Sequence, residues 1–319
     1  KDVSSNEKIG RLRSIMLEEG VDWCLISALD EFSWLFNLRA SDIEYTPVAR
    51  GYAIVGLNET YVFLDSETPI DINAKIYNYE EIDSVLSDLK GKVRVDASKI
   101  NAHLYNICKS NLYVKESPIV ELKAVKSHAE IEGFRLANIY DGVVWVRMRM
   151  FLEEVFSEGL ALTELDVNEK IRELKMQNDC FVSESFESIV AYGANAAIVH
   201  YSATKESNSR IFGRGFLLID SGTHYNVGTT DITRTIVCGE LSSIQKKRYT
   251  QVLKGMIAIA VAEFSEGTTG ADIDVLARQF LKEDDVDFMH GTGHGIGSVL
   301  CVHEDGMGIS PRYIKPILV

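Results

Sequence analysis

The chain opens with nothing that resembles a signal peptide, and no apolar run reaches the roughly 18 residues a membrane-spanning helix needs. A membrane is therefore not expected as a partner. Positive charge is scarce as well: 33 Lys and Arg stand against 47 Asp and Glu, for a net charge of −14. That leaves no basic footprint for nucleic acid or anionic lipid. The acidic excess reads as a solvated surface with a modest preference for cations, divalent metals included. Cysteine is sparse. Cys24, Cys108, Cys180, Cys238 and Cys301 are odd in number, far apart and without a C-x-x-C pair. This excludes a disulfide framework or zinc ribbon and points to free buried thiols in a cytoplasmic protein. No short-period repeat and no low-complexity stretch occurs. The first residue is Lys1 rather than Met, which predicts a piece of a longer product.

What the chain does have is the composition of a globular protein, 46% hydrophobic and 25% charged over 319 residues, enough for about two domains. Residues 6–19 carry apolar positions 9, 12, 15 and 16 on one helical stripe, with Gly20 as the stop. Short elements then alternate: strand 23–26, helix 30–38, strands 52–55 and 61–64 around Asn58, helix 80–90, strand 92–95 and helix 101–110. The fold class is α+β (mixed α/β), with a first domain of short elements over residues 1–117 and a boundary at Ser117-Pro118. Nothing in that domain looks catalytic. The segment from Trp34 to Pro47, dense in aromatics and charges, is expected to meet another domain or subunit.

From Ser127 the pattern changes to longer helices. Ser127 and Glu130 have capping-box spacing, Thr163 and Asp166 a weaker version, and Ser242 opens a helix predicted to reach Phe264. A further helix is predicted over 271–282.

The organising stretch lies between them. Residues 216–219 form an apolar run that ends in Asp220, and Asp231 follows eleven residues later before a second β-branched run. Read as two antiparallel strands joined near Tyr225 to Gly228, they place both carboxylates on one face. Facing carboxylates in an apolar setting need a shared proton, a basic partner or metal cations. The alternative to metal is a structural pair with Arg234 or a lysine. Histidines favour metal: His200, His290, His294 and His303, four of the chain's seven, share this half. His290 and His294 would share a helix face, but Gly291, Gly293, Gly295 and Gly297 oppose a helix at roughly 1 kcal/mol each. An extended segment again points both to one side.

These segments carry a resemblance. Asp220-Ser-Gly, Thr-Thr-Asp231-Ile-Thr-Arg-Thr, His290-Gly-Thr-Gly-His294-Gly-Ile-Gly and Val302-His303-Glu304 resemble the active-site segments of the pita-bread metallopeptidases, most closely the cytosolic Xaa-Pro aminopeptidases (aminopeptidases P). Residues 28–42 are similar to the creatinase-like middle domain of the three-domain members, and residues 121–127 to the opening of their catalytic domain. The resemblance implies a creatinase-like domain at 1–117 and a pita-bread catalytic domain at 118–319 that lacks its last strands. It further implies two divalent metal ions, Mn²⁺ first with Zn²⁺ or Co²⁺ as alternatives, and a bridging hydroxide that attacks the bond before a proline in second position. By matching position, Asp220, Asp231 and His294 would be metal ligands. His200, His290 and His303 would bind substrate, His290 on the proline side and His303 at the developing oxyanion. A cytoplasmic homodimer with a peptide substrate is also implied.

The family's remaining two ligands are glutamates in Glu-Pro-Gly and Arg-Ile-Glu contexts. Neither context occurs here, and Glu304 matches a position that is not a ligand. Residues 316–319 resemble the start of the strand leading to the first of them. The expectation is a fragment of a longer enzyme, inactive by itself because it holds three of five ligands. The alternative is a degenerate, non-catalytic member that binds peptides or proteins.

Overall fold

A computed structural model of the protein describes residues 3–65 and 73–317. The chain divides into two units, Lys1–Ile131 and Glu132–Val319. The division differs from the expected boundary at 117/118, and the reason is local. The Ser117 hydroxyl donates to Glu31 at 2.7 Å, and Lys123, almost fully buried, pairs with Asp30 at 2.8 Å. Residues 117–124 are thus tied into the first unit.

In the first unit the helix Ser5–Glu19 starts where Ser4 accepts from the Glu7 amide. It stops at Gly20, whose φ of +64° is left-handed backbone. A six-stranded mixed sheet follows in the order Lys75–Tyr77, Thr60–Leu64, Gly51–Gly56, Trp23–Ile26, Val93–Val95 and Leu112–Val114. Leu25, Ile54, Phe63, Leu86, Val93 and Leu104 form its core. The segment expected to meet another surface turns inward at its start. Trp34, Leu35 and Phe36 are buried, and the Lys8 ammonium donates to the Trp34 carbonyl at 2.7 Å.

A long helix, His128–Ser157, begins at the Ser127–Glu130 capping box and continues from Glu132 as the first element of the second unit. Its stripe of Val144, Met148 and Leu152 packs with Val167 and Ile171 of the helix Glu164–Met176 and with Leu217, Ile219 and Ile236 of a three-stranded antiparallel sheet. That sheet consists of Ile189–Tyr192, Phe216–Ser221 and Ile232–Val237, with Phe216–Ser221 in the middle. Helices Ser243–Ala260 and Gly270–Lys282 pack together further on, so closely that a Cβ on Gly255 would lie 2.2 Å from the Ala277 carbonyl. The first of these ends at Ala260, short of Phe264, and a turn from Ser265 to Thr268 leads to the Thr269 cap. Of the segment expected to open a strand, Pro316 bridges to Thr269, while Leu318 and Val319 lie outside the described residues.

Among the described residues no helix is long and apolar enough to cross a membrane. All five cysteines are free; Cys24, Cys108 and Cys238 are buried, Cys180 and Cys301 half-buried.

Candidate metal centre

The hairpin from Phe216 to Val237 positions the site. Asp220 pairs with Thr233, and Tyr225 with Gly228 across the expected turn. At Gly222 the ribbon changes sheets: Thr223–Tyr225 pairs with Gly228–Thr229 and Phe181–Glu184. Only glycine fits there, since a Cβ would lie 2.2 Å from the Ser185 hydroxyl and 2.3 Å from the Thr230 carbonyl. Strand alternation sends Leu217, Ile219 and Ser221 into the core and Leu218 and Asp220 to the other face. Asp231 precedes Thr233 by two residues and therefore falls on the same face as Asp220.

The second arm is the strand Gly293–Gly295, paired with Glu304–Ile309. His294 rises from it and brings its Nε2 to 3.2 Å from Asp231 Oδ2. The connecting turn returns His303 to the same place, its ring edge-on to His294 with centroids 4.2 Å apart. That turn is pinned to the hairpin: the Val299 amide donates to the Thr229 hydroxyl at 2.9 Å, and Val299 takes a left-handed φ of +51°. A β-branched residue there is strained backbone held by its surroundings. Ligand atoms of Asp231, His294 and His303 all lie within 4.8 Å of one another.

The electrostatics follow from this packing. Burial pushes the Asp220 carboxyl above its usual range; the Thr233 hydroxyl opposes this, and the neighbouring Asp231 charge adds to it. Asp220 Oδ1 is buried without a hydrogen-bond partner. The Asp231 carboxylate raises His294, outweighing the effect of burial, whereas burial lowers His303, helped by the charge of His294. His294 Nδ1 lies 2.8 Å from the Gly295 carbonyl, which only accepts, so Nδ1 carries a proton and Nε2 is the atom offered to Asp231 or to a metal.

Arg234 donates to the Thr233 carbonyl, and among the described residues no lysine or arginine pairs with Asp220 or Asp231. The structural ion pair is not what these acids form. Two carboxylates, one with an unsatisfied buried oxygen, together with two imidazoles, fit a divalent cation of the Mn²⁺, Zn²⁺ or Co²⁺ type.

The six expected site residues are thus brought together unequally. Asp231, His294 and His303 form the tight group, which includes His303, assigned by resemblance to substrate, and leaves Asp220 just outside. His200 is exposed on the loop after Tyr192, near enough for its charge to act on both Asp220 and His303. His290 is exposed, its ring 4.7 Å from Phe288 and its Nδ1 donating to the Gly291 carbonyl. Among the described residues no hydrogen bond or ring contact joins it to the group. Sequence reasoning passed over the supports. Asp141 accepts from Thr223, Tyr225 and Thr230; Lys175 reaches Ser221, Gly222 and Glu184; and Glu164 gathers the His200 loop. Their shared signal is a charge on the buried stripe of a helix.

Residues 132–317 match metallopeptidase family M24, and residues 1–130 match the creatinase/prolidase N-terminal domain. The "Probable Xaa-Pro aminopeptidase P" of Aspergillus clavatus is 39% identical over 329 residues, covering 97% of this chain and 50% of its own length. An uncharacterized peptidase of Schizosaccharomyces pombe is 37% identical over 320 residues, with 97% and 53% covered. The chain spans about half the length of the curated relatives it matches. Among solved structures, the X-prolyl aminopeptidase of Caenorhabditis elegans, described as a cytosolic enzyme with a di-nuclear active site, superposes with a TM-score of 0.93 at 33% identity, over 97% of this chain and 53% of its own. The prolidase of Pyrococcus furiosus shares the fold, with a TM-score of 0.74 at 22% identity over 96% of this chain and 88% of its own. The paired acids and histidines therefore sit in a fold that solved peptidases share, and the chain belongs to metallopeptidase family M24.

Proposed function

We propose that the protein is a metalloaminopeptidase that releases the N-terminal residue from peptides with proline in second position. The observation carrying this reading is the meeting of Asp231, His294 and His303 beside an unsatisfied Asp220 oxygen in an M24 chain. Relatives support the substrate class, since the Aspergillus and Caenorhabditis proteins are both named for cleavage next to proline. From the worm enzyme's description we carry over a cytosolic location and a dinuclear site. Mn²⁺ is the first choice of metal, given the oxygen-rich donors. A homodimer follows from the family resemblance.

Asp220, Asp231 and His294 would hold the metal. Paired cations held there would supply an acidified water and a polarised scissile carbonyl. The chain's own side chains supply orientation. The Gly295 carbonyl fixes the His294 ring with Nε2 toward Asp231. His303, its pKa lowered by desolvation and by the neighbouring His294 charge, can donate a hydrogen bond to the oxygen on which negative charge develops. His200 contacts the peptide from its loop, and the exposed His290 ring on Phe288 offers a flat face to the proline.

Full-length protein with Mn²⁺ is expected to release the first residue of an Xaa-Pro tripeptide, and Asp231→Ala to abolish release. Unchanged activity in that variant refutes the assignment. A second reading is a non-catalytic peptide- or protein-binding member of the same fold. It predicts that full-length, Mn²⁺-loaded protein binds the same tripeptide without turnover.

A further inference from the structure

His200 is exposed, in a stretch without helix or strand, and one neighbour holds it. A turn from Ile198 to Tyr201, closed by a 3.2 Å amide-to-carbonyl bond, presents His200 outward. Tyr201 is buried, its ring packed with Ile189, Ala191 and Leu218. Leu218 precedes Asp220 by two residues on the same strand face, so the Tyr201 ring rests on the surface that carries Asp220.

The Tyr201 hydroxyl points the other way, to Glu164. This carboxylate is wholly buried in the first turn of its helix, yet among the described residues no lysine or arginine pairs with it. Its charge is held by neutral donors: the Tyr192 amide at 2.7 Å, the Ser209 amide at 2.8 Å, the Tyr201 hydroxyl at 2.9 Å and the Asn195 amide group at 3.0 and 3.2 Å. These donors come from both ends and the middle of the segment that bears His200. An ionised carboxylate makes each bond stronger than a neutral pair would. One acid therefore closes an eighteen-residue loop, 192–209, against the helix.

We propose that Glu164 and Tyr201 form a latch that positions His200 over the Asp220–His303 face, and so sets how tightly the peptide is held there. Neither residue touches substrate; both are positioning residues. The inference rests on the peptidase reading for its kinetic consequence but not for its geometry.

Tyr201→Phe keeps the ring and removes the bond to Glu164. In full-length, Mn²⁺-loaded protein, KM for an Xaa-Pro tripeptide is expected to rise about tenfold with kcat changed less than about threefold. Metal content should be unchanged. In the His200→Ala background the same substitution should add less than about twofold, because its route of action is gone. A readout free of activity comes from ¹³C-histidine NMR, with the His200 signal assigned by its loss in His200→Ala. Tyr201→Phe should shift and narrow that signal while leaving those of His294 and His303 in place. Glu164→Gln, which turns an acceptor into a donor among N–H groups, should do the same more strongly. An unmoved His200 signal in Tyr201→Phe overturns the latch, as does an undiminished kinetic effect when His200 is absent. If the wild type cleaves no Xaa-Pro peptide, the peptidase reading fails, and the NMR arm alone decides the latch.

Discussion

Two acids of the second unit, fully buried Asp141 and half-buried Asp220, flank one hairpin and have opposite fates. Asp141 sits on the apolar stripe of the long helix, fully buried, and accepts from the Thr223 hydroxyl at 3.2 Å, the Tyr225 hydroxyl at 2.8 Å and the Thr230 hydroxyl. Lys175 completes that side, donating to the Gly222 carbonyl at 2.9 Å and to Glu184 at 3.3 Å. Asp220, one strand face away, keeps a buried oxygen that no protein group satisfies. Both acids hold a carboxylate oxygen away from water, and only Asp141 has its oxygens bonded. An acid whose two oxygens are both bonded holds the fold together, and one left incomplete is built for something the chain does not supply.

Substitutions on the two sides should therefore separate stability from metal binding. The largest effect belongs to the open side: Asp220→Ala in full-length protein is expected to lower Mn²⁺ affinity and peptidase activity by at least about a hundredfold. Its metal-free melting temperature should hold or rise, since a half-buried carboxylate with an unsatisfied oxygen is removed. Asp141→Ala should do the reverse, costing about 3–5 kcal/mol in urea unfolding because three buried hydroxyls lose their acceptor at once. If the metal-free protein loses more stability from Asp220→Ala than from Asp141→Ala, the contrast is false. Lys175→Met comes next, at about 3 kcal/mol, because Glu184 would stay buried without its closest cation. Glu184→Gln in the same chain should recover part of that loss, and no recovery would mean that Lys175 acts through Ser221 and Gly222 alone.

The open side was the legible one. Asp220, Asp231 and His294 stand in runs whose period and glycine content declare a hairpin and a looped strand, and strand alternation alone places the two acids together. The closed side follows a different rule. Asp141 continues the spacing of Gly133 and Ala137 toward Val144, and Lys175 follows Leu174 on the face of Val167 and Ile171. A charge at such a position reads as an interruption of the stripe until its partners are known, and the most remote of those lie 46 to 89 residues away in sequence. The tie of Ser117 to the first unit is hidden for a related reason: Ser117-Pro118 looks like a linker, but the Ser117 hydroxyl's bond to Glu31 is a contact over 86 residues. His290 shows what spacing leaves open: it aligns with His294 in sequence, while its ring rests on Phe288.

The smallest effect tests the open side by pH. The His294 pKa is raised above its ordinary 6.5, chiefly by Asp231. For a group raised in the folded state, the stabilisation is complete below the unfolded value and is lost as pH climbs through the folded one. In metal-free protein, Asp231→Asn should therefore lower the melting temperature more near pH 6 than near pH 8.5. Relief of Asp220–Asp231 repulsion also occurs in this variant, so the comparison is repeated in an Asp220→Asn background, where that repulsion is already gone and only the His294 contribution remains. His303 carries the opposite sign, being lowered by burial, and its imidazole should titrate below 6.5 in the same sample. A cation competes with the proton for Nε2 of His294. Saturating Mn²⁺ should then erase the pH dependence of the Asp231→Asn difference above pH 6.5, and a difference that keeps its slope would place the metal away from His294.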